Sequence, residues 1–107
     1  GLKIEGVTHR VALSQDGPVI EILGRLKNET KSAVDAPMLE AQAVNADGET
    51  LARWTFTARS ARVRPGESAD FATRAPAPDG VSEVLLSFAP AQGVKVTVGE
   101  LLRPVAQ

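Results

Sequence analysis

Ile20-Glu21-Ile22-Leu23-Gly24-Arg25-Leu26-Lys27-Asn28 is the stretch on which the fold class turns. Ile20, Ile22, Gly24 and Leu26 alternate with Glu21, Arg25 and Lys27, and Leu23 is the exception. Apolar and polar residues alternating with a period of two predict a strand with one dry and one wet face, as in an antiparallel sheet. The same period recurs along the chain. Leu2, Ile4 and Gly6 alternate with Lys3 and Glu5, and Trp54 and Phe56 with Arg53, Thr55 and Thr57. Val84, Leu86 and Phe88 form another such face, and Val94, Val96 and Val98 alternate with Lys95 and Thr97.

Turn chemistry separates these runs. Asp16-Gly17-Pro18 is expected to close the first hairpin, and Asn45-Ala46-Asp47-Gly48 another, with Gly48 free to take positive φ. Pro65-Gly66 suits a type II turn, since proline presets φ at the second position and glycine accepts positive φ at the third. The proline-rich run from Ala75 to Gly80 reads as a loop, as does Pro90 through Gly93. Residues 37–44 are the ambiguous segment. Met38-Leu39-Glu40-Ala41-Gln42-Ala43 consists of good helix formers, but it is short and flanked by strand patterns, so it is read as a strand. The pattern predicts one all-β sandwich of about seven or eight strands across residues 1–107.

Composition narrows the function classes. The chain has 107 residues, enough for one core without covalent staples. A net charge of -1 gives no bulk attraction to nucleic acid or to an anionic membrane. Cysteine is absent, which removes disulfides, thiolate metal sites and cysteine nucleophiles together. No apolar run reaches the roughly 20 residues of a membrane helix, and no signal peptide is present. The opening Gly1-Leu2-Lys3-Ile4 already alternates, so the chain reads as a piece of a longer protein whose anchor or leader would lie upstream.

Several local patterns carry a resemblance. Ile22-Leu23-Gly24-Arg25-Leu26-Lys27-Asn28 is followed by Ala36-Pro37-Met38-Leu39, Asp47-Gly48, and Leu51-Ala52-Arg53-Trp54-Thr55-Phe56. Val63-Arg64-Pro65-Gly66-Glu67-Ser68, Phe71 and Val84-Leu85-Leu86-Ser87-Phe88 complete the order. Over about residues 2–90 this order resembles an uncharacterised bacterial family of immunoglobulin-like β-sandwich domains. These domains lie at the C-terminus of zinc-ribbon membrane proteins and are related to FxLYD domains. The resemblance implies an immunoglobulin-like sandwich on the far side of a single membrane helix, and therefore a periplasmic one. It brings no catalytic residues. About residues 94–102 fall beyond it and are expected to add an edge strand.

The chemistry-bearing residues favour a non-catalytic module. His9 is the sole histidine, and nothing in the spacing of Ser14, Ser68 or Asp70 suggests a nucleophile and an orienting acid beside it. One His, one Met and no Cys make a poor metal-ligand set, and no cofactor is expected. Asp16, Asp35, Asp47 and Asp79 all fall near turns, without the closely spaced acids of a calcium loop. Arg53, Arg59, Arg62 and Arg64, with Arg74 beyond them, are the polar set singled out for partner binding. Their main reading is a solvated face with charged, protected edges, and next an acidic protein or envelope partner. The expected role is an extracytoplasmic interaction or scaffold module that contacts protein through an edge strand and does not bind nucleic acid. The alternatives are a module using the Trp54 region to bind a small ligand or envelope polymer, and an accessory domain of an enzyme. Oligomeric state is left open.

Overall fold

The structure is a computed structural model that describes residues 2–88, and the backbone of 92–97. Every regular element among these residues is a strand. β1 (Leu2–Ser14), β2 (Gly17–Asn28) and β7 (Ser68–Pro76) form an antiparallel sheet in the order β1-β2-β7. β4 (Leu39–Asn45), β5 (Thr50–Phe56), β8 (Val81–Phe88) and β9 (Gln92–Thr97) form a second, in the order β5-β4-β8-β9. β3 (Val34–Asp35) and β6 (Arg62–Val63) are two-residue strands that pair with each other. The chain changes sheet after β2, after β5 and again after β7, which gives the immunoglobulin-like sandwich expected of the sequence.

One buried cluster joins the two sheets. Ile4, Ile20, Ile22, Leu26 and Phe71 come from the first, and Leu39, Ala41, Ala43, Val84, Leu86 and Phe88 from the second. Trp54 and Phe56 pack against this cluster from β5, so they belong to the core face as their spacing predicts. The Phe56 and Phe71 rings meet across the sheets at 5.5 Å, tilted by 49°. Trp54 Nε1 donates to Thr73 Oγ1 at 2.9 Å, a second link between the sheets. Residues 39–45 are a central strand despite their helix propensity, because Leu39, Ala41 and Ala43 alternate into the core between β5 and β8. Tertiary burial outweighs a local preference of a few tenths of a kcal/mol per residue, by the usual ~0–0.7 kcal/mol span of that scale.

Two glycines have specific work. Gly24 lies opposite Phe71 in continuous register, and a Cβ there would stand 2.6 Å from Phe71 Cζ. Its role is close approach of a ring to backbone. Gly6 departs from the simple alternation expected of β1. It has φ of 62° and lies in a register shift between Glu5 and Thr8. Gly6 and Val7 together stand against Gly24, which is a β-bulge with glycine in the left-handed region. Leu2 and Ile4 turn inward before the bulge, while Val7, His9 and Val11 take the inward positions after it.

Asn28 ends β2 as a fully buried polar residue. Its Nδ2 donates to Ser32 O (2.8 Å) and Val63 O (2.9 Å), and its Oδ1 accepts from Thr30 N (2.9 Å) and Thr30 Oγ1 (2.6 Å). Its backbone N–H donates to Glu67 O and its carbonyl accepts from Gly66 N, each at 2.9 Å. The turn from Arg64 to Glu67 is closed by Glu67 N–H donating to Arg64 O, with Gly66 at φ 76° as a type II turn requires. Gly48 takes φ of 82° in the expected hairpin. The loop expected from Pro90 to Gly93 is shorter than its sequence suggests. Gln92 and Gly93 already pair with Phe88 and Ser87, so the last strand starts at Gln92 at the edge of its sheet. Residues 98–102 of the expected strand lie outside the described residues.

Candidate functional site

The four arginines singled out from sequence are exposed and lie on separate elements. Arg53 is on the outer face of β5, with its Nε 3.7 Å from Glu40 Oε1. Arg62 is on β6 and its Nη1 lies 2.9 Å from Asp35 Oδ1. Arg59 and Arg64 are in the loops flanking β6, with no side-chain ion pair among the described residues. Adjacency in sequence therefore does not become one basic surface of a single sheet.

Two other sequence candidates are occupied elsewhere. Trp54 is committed to the core and to Thr73. His9 pairs with Ile22 in the register, an inward position, whereas Arg10 and Glu21 pair on the opposite face. Strand alternation thus separates the imidazole from the neighbouring carboxylate. Among the described residues, no three His, Asp or Glu side chains gather as metal ligands.

A concave feature lies on the outer face of the β1-β2-β7 sheet. There a groove of about 400 Å³ is floored by Thr8, Leu23 and Ala72 and walled by Arg10, Glu21 and Arg74, with His9 and Thr73 at its border. The register makes each set a rung across the three strands: Thr8-Leu23-Ala72, and next to it Arg10-Glu21-Arg74. On the other side of the Leu23 rung lies Glu5-Arg25-Asp70. The bulge at Gly6 brings Glu5 onto the same face as Thr8 and Arg10, since residues three apart on a regular strand point oppositely.

The two charged rungs differ in sign. Glu21 accepts from Arg10 and lies 3.6 Å from Arg74, so two cations share one carboxylate. Arg25 pairs with Glu5 at 3.0 Å, and Asp70 has no ion pair among the described residues. Between them Leu23 is 54% exposed, a large apolar side chain with charge two residues away on either side of it along β2. Sequence reasoning passed over this groove, although Leu23 as the exception to the β2 alternation was its one visible signal.

No protein-family model matches the sequence, and no curated protein matches it. Solved structures do share its fold. The ApaA protein from Bordetella pertussis superposes with a TM-score of 0.60 at 13% identity, over 91% of this chain and 87% of that one. The structural genomics target SoR45 gives a TM-score of 0.55 at 11% identity, over 90% of this chain and 80% of that one. At these identities the likeness is one of architecture.

Proposed function

We propose that this chain is a non-catalytic interaction or scaffold module whose contact surface is the outer face of the β1-β2-β7 sheet. The observation that carries the reading is Leu23, exposed on the floor of a groove and flanked along the sheet by two ordered rungs of charge. An apolar centre rimmed by polar groups is the usual anatomy of a protein contact. The edge strands of this sheet, β1 and β7, are less suited to the task. β1 is interrupted by its bulge, and β7 ends at Pro76 and has its Asp70 carbonyl taken by Arg59 N–H. The order of motifs supports placing the module in the periplasm, as the outer end of a bacterial protein tethered to the inner membrane by a segment outside this chain.

A photo-crosslinking amino acid placed at position 23, and separately at position 53 on the other sheet's outer face, tests the reading in cells. A protein adduct from position 23 with none from position 53 is expected. No adduct from position 23, or equal adducts from both, would sink it.

A further inference from the structure

We infer that the groove is filled by a second copy of this chain, packed face to face about a two-fold axis through the Leu23 rung, in the interface plane and perpendicular to the strands. This rests on the contact surface proposed above and names its partner. The Arg10-Glu21-Arg74 and Glu5-Arg25-Asp70 rungs flank Leu23 at equal spacing, two residues away along β2 on either side. A two-fold in this orientation lays each rung on the other one of the second copy, and each strand on itself. Arg10 then meets Glu5, Glu21 meets Arg25, and Arg74 meets Asp70. All three columns pair opposite charges, and Thr8, Leu23 and Ala72 meet their own copies at the axis. The other in-plane two-fold, parallel to the strands, lays each rung on itself with β1 over β7. It opposes Arg10 to Arg74, Glu21 to Glu21 and Glu5 to Asp70, which are all like charges. The charge order therefore selects one isologous arrangement and rejects the alternative.

Shape agrees with charge. A twisted sheet is a saddle, and a saddle turned about an in-plane two-fold keeps its hand of twist, so the two faces stack at constant spacing. The nine residues from Val19 to Lys27 span about 30 Å and the three strands about 15 Å, or about 450 Å² per copy, including outer rungs where the stems of Lys3 and Lys27 lie over Ala12 and Val19. A total near 900 Å² is at the weak, transient end of specific interfaces, so the dimer is expected to fill only at high protein concentration.

Sedimentation equilibrium from about ten micromolar to about one millimolar reads the dimer directly. Wild type should approach twice the monomer mass with rising concentration. R74D and D70R should each raise the dissociation constant roughly tenfold or more, because each contact occurs twice per dimer. Mixing R74D with D70R should restore association, since the first carries only acids and the second only bases at positions 70 and 74. L23E should remain monomeric with an unchanged circular dichroism spectrum. A monomeric wild type at the top concentration, or a mixture no tighter than either variant alone, overturns the dimer. Should position 23 then still cross-link to a different protein, the contact surface survives without it. Should it cross-link to nothing, both readings fall.

Discussion

Asn28 offers the sharpest test of how this fold is held. Removing its side chain as Asn28→Ala takes a partner from four groups, but Ser32 O and Thr30 Oγ1 keep each other, so Val63 O and Thr30 N are the two left short. Val63 is buried, so its carbonyl has no water to turn to and loses about 1–3 kcal/mol. The part-buried Thr30 N–H recovers some hydration and costs about 0.5–1 kcal/mol. The expected loss is about 1.5–4 kcal/mol, a large share of the stability usual for a domain of this size, ~5–15 kcal/mol. Asn28→Asp separates hydrogen bonding from shape. It keeps the acceptor for Thr30 but aims a second oxygen at two carbonyls. Burial and those carbonyls both penalise the charged form, so the introduced carboxyl's folded pKa is raised above its unfolded value of about 3.9. A raised folded pKa means that stability is present below the unfolded value and lost as pH rises through the folded one. Asn28→Asp should therefore be at least as damaging as Asn28→Ala at neutral pH and recover part of its loss on acidification, while Asn28→Ala shows no such recovery relative to wild type. Urea unfolding followed by the fluorescence of Trp54, the sole tryptophan, gives the free energies. An Asn28→Ala cost below about 1 kcal/mol, or an aspartate penalty flat with pH, would refute the account of Asn28 as a fully engaged buried amide.

Three further outcomes follow from the packing. Gly24→Ala should cost about 1–3 kcal/mol, because its methyl must displace the Phe71 ring, and Phe71→Leu in the same chain should relieve part of that cost in a double-mutant cycle. Thr73→Val removes the acceptor of the Trp54 N–H between the sheets, and urea unfolding should show a loss of about 1–2 kcal/mol. Leu23→Glu should leave the unfolding free energy within about 0.5 kcal/mol of wild type, since the side chain lies outside the core, and a larger loss would show it to be structural.

The parts of the fold legible in the sequence are those written in short-range chemistry. The β2 alternation, Gly48, the Pro65-Gly66 turn and the shared face of Trp54 and Phe56 all stand where residue pattern places them. The motif positions also explain one another: Gly24 admits Phe71, and Asn28 bonds the Gly66-Glu67 turn. Residues 39–45 needed their neighbours, because alanine alternates as readily in a helix former's composition as in a strand's. The two-residue strands β3 and β6 have no periodicity to detect. The groove was illegible for a related reason. Its rungs join β1, β2 and β7, so residues such as Arg10 and Arg74 become neighbours only through register, whereas the arginines from 53 to 64 are close in sequence and scattered in space.

The bulge at Gly6 also shapes how this strand can change over generations. Losing one residue upstream of Thr8 and leaving the rest paired would exchange inside for outside along one arm of β1, exposing Ile4 or burying Lys3 and Glu5. Point substitution can tune the outward face of β1 and exchange apolar residues on the inward one without changing this phase. A single-codon insertion or deletion cannot be absorbed there without a compensating one, so the strand's length is inherited together with its polarity, and relatives that align without the extra residue should carry the opposite phase of apolar residues before it.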